Sequence, residues 1–122
     1  NSTYPASMSF TQNTLRSFIN ADGKLILCNE PFFTHFGCCT EHLIGKSVAD
    51  VFSSLEDMGL LQAVQQCRQH PDQSLTVEME KQCKGGCNHF RWEIFAEEKQ
   101  GLVSGIHIVG NYIRPKAAVL AQ

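Results

Sequence analysis

The sequence predicts an α+β domain, a five-stranded antiparallel sheet with short helices and one longer helix covering one face. Three observations predict it. Two apolar strand patterns flank the turn residues Ala21-Asp22-Gly23-Lys24. A single long stretch of helical periodicity, about Leu55 to Gln69, stands in the middle of the chain. Three further strand patterns then run from Leu75 to Ile113 with only turn-like residues between them. Helices gathered between a hairpin and a meander are expected on one side of a single sheet.

The elements follow in order. Residues 1–14 are polar and weakly patterned, a flexible lead-in or a short helix. Leu15 to Asn20 reads as the first strand, with Gly23 placed where a tight turn needs positive φ. Leu25-Ile26-Leu27-Cys28 is a second, continuously apolar strand. Asn29 can cap a short helix that tolerates Pro31 in its first turn, brings Phe32, Phe33 and Phe36 together, and stops at Gly37. Thr40 to Gly45 reads as another helical turn, and Ser47 can cap a third short piece carrying Val48, Val51 and Phe52. Ser54 precedes the long helix, where Leu60, Leu61, Val64 and Cys67 recur at helical spacing until His70-Pro71-Asp72 ends it. Leu75, Val77 and Met79 alternate with polar residues, as do Phe90, Trp92, Ile94 and Ala96 after the turn at Lys84-Gly85-Gly86. The last strand runs from Leu102 to Ile113, and Pro115 closes it.

Composition bounds the function. The 122 residues suit one domain with a real core. Apolar residues at 43% and charged residues at 18% are ordinary for a globular chain. Ten basic against twelve acidic side chains leave a net charge of −2, which argues against a nucleic-acid surface. Apolar runs such as Phe32-Phe33 and Leu60-Leu61 are far too short to cross a bilayer, so no direct membrane insertion is expected. Residues 1–10 lack the pattern of a signal peptide. Six cysteines are too few for a disulfide scaffold. Cys28 and Cys67 fall in apolar periodic stretches, where a free thiol acts as a small core residue. A reducing, cytoplasmic compartment is the expectation.

No catalytic constellation stands out: there is no phosphate-cradling glycine loop, nucleophile elbow or His-Glu helical metal motif. Asp50 and Glu41 read as helix-start charges. Cys83 and Cys87 are redox candidates. On a hairpin with a three-residue loop they would face one another, and opposed Cα atoms about 4.5–5.5 Å apart suit a disulfide. Two exposed thiols in a variable loop are the preferred reading. Cys83, Cys87 and His89 could ligate zinc, with Cys67 and His70 as further candidates, but no second close pair completes a structural site, and none is expected. Phe32, Phe33, Phe36, Phe52 and Trp92 form either an ordinary core or the wall of a small-molecule cavity, and a buried Trp92 would need a partner for its indole N–H.

Order and residues together resemble the PAS sensory domain family over about Leu15 to Ile113. The resemblance rests on Asp22-Gly23 between the first strands, Asn29 opening a helix that Phe36-Gly37 closes, and Glu41-His42-Leu43-Ile44-Gly45-Lys46 followed by Asp50-Val51-Phe52. Phe90-Arg91-Trp92-Glu93 matches the penultimate strand and Gly105 to Ile113 the last. Cys38-Cys39 replaces the aromatic residue that often follows Phe-Gly, Gly85-Gly86 replaces an Asp-Gly turn, and Asn111-Tyr112-Ile113 replaces an acidic strand end.

The resemblance implies a PAS-like sheet and a sensory module, not an enzyme, that passes a conformational bias through its last strand. Ligand-pocket candidates are Ile26, Phe32, Phe36, Leu43, Phe52, Leu61, Val64 and Trp92. The family's flavin–cysteine segment has no counterpart around Ser47 to Phe52. Haem is not expected either, because the long helix has only His70 at its end, and His107 lies between the inward-pointing Ile106 and Ile108. Residues 114–122 would begin a linker to an output domain, and the resemblance suggests a bacterial sensor histidine kinase, then a cyclic-dinucleotide enzyme, as host. The alternative is a ligand-free homodimer through the face opposite Trp92, with Phe95, Val109 and Ile113 as candidates.

Overall fold

The computed structural model describes residues 14–37, 42–83 and 86–113, with the side chains of residues 81–83 and 86–87 outside the description. Asn20 shapes the first turn: its Oδ1 accepts the N–H groups of Asp22 (3.0 Å) and Lys24 (2.9 Å). Gly23 there takes φ 85°, which a side chain would resist. The turn joins β1 (Thr14–Asn20) to β2 (Leu25–Cys28). The middle of the chain forms α1 (Glu30–Phe36), α2 (Val48–Val51), a single 3-10 turn (Leu55–Asp57) and α3 (Met58–Gln69). The meander follows as β3 (Leu75–Cys83), β4 (Gly86–Lys99) and β5 (Leu102–Ile113).

The strand order is β2-β1-β5-β4-β3, and every neighbour is antiparallel. The first and last strands thus meet in the sheet, with β5 paired along the whole of β1. Buried Ser17 reinforces that seam by donating from Oγ to Ile108 O at 2.8 Å. Alternate residues Leu15, Ile19, Phe90, Trp92, Ile94, Ile106 and Ile108 face the helices and form one core with Phe32, Phe52, Leu60, Val64 and Cys67. Each fully buried side chain of this kind contributes roughly 1.5–3 kcal/mol.

Four expectations need correction. Ile26 faces outward, 39% exposed, because a bulge between Phe18 and Ile19 pairs Leu27 and Leu25 with β1 and skips the residue between them. It therefore cannot line a core pocket, and Leu27, 64% exposed, joins it outside. Residues 40–41 lie outside the described residues, and Leu43 to Gly45 form a turn rather than helix. Its backbone bonds go to β2 instead: Gly45 N–H donates to Leu25 O (2.7 Å) and Leu25 N–H to Lys46 O (2.9 Å), which covers the sheet edge. The long helix is split, since Leu55–Asp57 winds as 3-10 before α3 begins at Met58. The β3–β4 register sets Cys83 opposite Gly86 and Gln82 opposite Cys87, so the two cysteines are not cross-strand partners. Their side chains, Cys38-Cys39, the lead-in before Thr14 and residues 114–122 fall outside the described residues.

Candidate functional site

Asn29 fixes the position of α1 by tying it to β1. Its Oδ1 accepts Phe32 N–H (3.1 Å) and Arg16 N–H (3.0 Å), while its amide donates to Thr14 O (2.9 Å). Phe32 and Phe36, four residues apart, share the inner face and stack at 4.6 Å, whereas Phe33 stays 40% exposed. Ser47 caps α2 by accepting Asp50 N–H at 3.3 Å, and the helix ends at the buried Phe52. From the sheet, Trp92 meets these rings edge-on or tilted, with centroids 6.3 Å from Phe32, 5.9 Å from Phe36 and 6.1 Å from Phe52. Such geometries suit aromatic quadrupoles.

Trp92 is 0% exposed, and its Nε1 has no hydrogen-bond partner among the described residues. An unsatisfied buried donor costs on the order of 1–3 kcal/mol. Behind the indole lies Gly110, its cross-strand partner, where a Cβ would come within 2.7 Å of Trp92 Cε3 and Cζ3. The ring is therefore clamped between a glycine and three phenylalanines.

Of the eight pocket candidates, Phe32, Phe36, Phe52 and Trp92 come together in this cluster. Leu43 and Val64 belong to the same buried core, Leu61 packs at its margin, and Ile26 is outside it. Phe90, 6.1 Å from Trp92 and buried, was missing from the candidates although its strand alternation marks it as inward. One surface depression of about 170 Å³ is lined by Asn20, Ala21, Arg68, Val103, Gly105 and Ile106, none of them a candidate.

Burial raises the thiol pKa of Cys28 and of Cys67, which disfavours the thiolate; a backbone hydrogen bond partly opposes this at Cys67. Among the described residues no three His, Cys, Asp or Glu side chains are placed to hold a metal ion. His89 sits between Glu78 (3.5 Å) and Glu80 (3.7 Å), and His70 is exposed at the end of α3.

His107 points to the outer face of the sheet while Ile106 and Ile108 are buried. Its Nε2 lies 2.8 Å from Glu97 Oε1, and its ring stacks on Phe95 at 5.0 Å and leans on Phe18 at 4.6 Å. The hydrogen bond to His107 is the main reason the Glu97 carboxyl is held below its ordinary pKa. Partial desolvation opposes it, and the charges of His107 and Lys99 and the Ser104 hydroxyl add to it. Nothing in the sequence marked this pair, because Glu97 lies opposite Gly105 in the ladder and meets His107 only diagonally, once the β4–β5 register is set. The three dimer-face candidates share the outer face: Phe95 pairs with His107, Val109 with Glu93, and Ile113 with His89 at the far end.

Residues 13–93 match the family model described as the PAS fold. The chain belongs to the PAS family. Solved PAS structures agree with the architecture. The PAS domain of BvgS from Bordetella pertussis is 15% identical with a TM-score of 0.67, covering 99% of this chain and 93% of that one. A sensory box sensor histidine kinase from Vibrio cholerae is 13% identical with a TM-score of 0.65, covering 93% and 90%. The PAS-B domain of Cycle from Drosophila melanogaster, with bound ethylene glycol, is 16% identical with a TM-score of 0.58, covering 81% and 99%. At such identities the likeness of this PAS domain to each is one of fold. No curated protein sequence matches it.

Proposed function

We propose that this PAS domain is the sensory module of a signalling protein, taking a small uncharged molecule among Phe32, Phe36, Phe52 and Trp92 and relaying its occupancy through β5. One observation carries the ligand reading: Trp92 Nε1 is a buried donor without an acceptor among the described residues. A ligand oxygen or nitrogen accepting that N–H would remove the penalty only when bound, giving the differential affinity that a sensor needs. The fold neighbours described as sensor histidine kinases support a kinase host, with the module itself non-catalytic. Among the described residues no helix is long and apolar enough to cross a membrane, and a cytoplasmic setting is part of the proposal.

The test is native mass spectrometry of protein purified without added cofactor, with an absorbance spectrum from 300 to 700 nm. A bound mass that Trp92→Phe loses is the expected result. A bare polypeptide mass, with no thermal shift across a metabolite library, would sink the ligand reading. The second reading, a ligand-free homodimer, is favoured by Phe95, 39% exposed on the outer face. The thiol reading of Cys83 and Cys87 has no cross-strand pairing to support it.

A further inference from the structure

The surface depression lined by Asn20, Ala21, Arg68, Val103, Gly105 and Ile106 holds a guanidinium and an amide whose donors the fold leaves unused. It lies where the β1–β2 turn, the end of α3 and the start of β5 meet. Arg68 stands in the last turn of α3, where a cation suits the carbonyl end of the helix. Its side chain nevertheless crosses to the first turn, where Nη2 donates to Ala21 O at 3.1 Å. Gly23 makes room for it, since a Cβ there would come within 2.7 Å of Nη1. That bond engages only part of the guanidinium fork, and no carboxylate pairs with Arg68 among the described residues. Asn20 is fixed in a complementary way. Its Oδ1 is taken by Asp22 N–H and Lys24 N–H, so the end that remains is the Nδ2 donor, which no described residue accepts. Glu97, the carboxylate opposite Gly105, is already engaged by His107, Lys99 and Ser104.

We propose that this depression binds a short aliphatic carboxylate. The Arg68 guanidinium and the Asn20 amide hold its headgroup, and its tail lies on Val103, Gly105 and Ile106. A guanidinium meets a carboxylate through parallel charge-assisted bonds, and one already anchored on Ala21 O loses little freedom in doing so. The volume sets the length of the tail. A cavity of about 150 Å³ takes a benzene-sized molecule, so the 170 Å³ here suits a carboxylate of about four carbons. An inorganic anion would leave the apolar floor uncovered, and an alcohol of the same length would leave the guanidinium without a counter-charge. So small a ligand on an open depression is expected to bind with a Kd of about 1 mM. Once bound, it ties the end of α3 to the β1–β2 turn and to the start of β5. The site shares no residue with the aromatic cluster around Trp92, so it neither needs nor excludes a ligand there.

The experiment titrates the isotope-labelled whole chain with butyrate, butanol and inorganic phosphate in turn, followed by heteronuclear NMR. Butyrate is expected to move the backbone amides of Ala21, Gly105 and Ile106, the Asn20 side-chain amide and the Arg68 Nε–H. The Trp92 Nε1–H signal should stay in place. Butanol and phosphate should each bind at least about tenfold more weakly. Arg68→Gln should weaken butyrate by about tenfold or more. Ala21→Asp keeps Arg68 and adds a carboxylate at an exposed turn position, and it should weaken butyrate as much. Both positions are exposed, so signals away from the depression should match the parent and report an intact fold. No movement at these residues, movement centred on Trp92, phosphate binding as tightly as butyrate, or an Arg68→Gln that binds like the parent would each overturn the proposal. The mass spectrum and this titration read different residues, so either reading can fail alone.

Discussion

Gly110→Ala adds one methyl group, and the structure says where it goes. Its Cβ would stand 2.7 Å from Trp92 Cε3 and Cζ3 and 2.8 Å from Cδ2. Carbon atoms prefer about 3.5–4.0 Å, so the indole must retreat by about 1 Å. On its other side the indole, 0% exposed, packs against Phe32, Phe36 and Phe52. Overpacking of this kind costs about 1–3 kcal/mol, and a rigid aromatic wall argues for the upper part of that range. The reduced freedom of the unfolded chain returns about 0.4–1 kcal/mol. The net expectation is a loss of about 2 kcal/mol, or a fall in Tm of roughly 6–10 °C for a domain of this size. Gly59→Ala is the matched control: it makes the same chemical change near the start of α3, where a Cβ meets nothing within 4 Å. There the sign reverses, with a gain of about 0.5 kcal/mol. Urea titration followed by far-UV circular dichroism measures both. In a Trp92→Phe background the smaller ring leaves room, so Gly110→Ala should become nearly neutral, a coupling of about 2 kcal/mol. A parent-like Gly110→Ala, within about 0.5 kcal/mol, would refute the clamp on Trp92.

Asn29→Ala removes the helix cap and two ties to β1, and should cost about 2 kcal/mol in urea titration; Asn29→Asp, which keeps the accepting oxygen, should lose less. Ser17→Ala loses the buried hydroxyl bond to Ile108 O and should cost about 1 kcal/mol by the same assay, with a parent-like stability counting against that bond. For Glu97 the folded state holds the carboxyl below its ordinary 4.5. Its contribution is thus present above that value and disappears as pH falls through the folded-state pKa. Melting curves of the parent and Glu97→Gln should therefore differ near neutral pH and converge in acid, and a gap that widens in acid would contradict the pairing with His107.

What was legible in the sequence was local. The hairpin turn, the Asn29 cap and the alternation of β3 and β4 each depend on residues within a few positions of one another, where turn chemistry and side-chain period act directly. The expected misreadings come from partners far along the chain. Ile26 looks like a core residue in an apolar run, yet a bulge opposite it decides its direction. Leu43 to Gly45 has helical character alone, but the free edge of β2 offers its backbone better bonds. The aromatic cluster was readable through the spacing of Phe32 and Phe36 and the alternation around Trp92. The unpartnered indole nitrogen was not, because satisfaction is a property of every neighbour at once. The Glu97–His107 pair exists only once the β4–β5 register sets the two side chains on one diagonal.

The central position of β5 also sets how the domain carries mechanical load. A tension applied along β5 from its Ile113 end is opposed by two ladders, one to β1 and one to β4, with hydrogen bonds lying across the direction of pull. Those bonds are loaded together in shear rather than opened one at a time, as they would be if an edge strand were peeled away. Ser17 Oγ bonded to Ile108 O adds a side-chain cross-link to one ladder, and Trp92 seated over Gly110 keys the other. β3, at the other edge, is laddered to β4 alone. A displacement of β5 therefore drags β1 and β4 with it, and the sheet moves as a stiff plate whose compliant margin is β3.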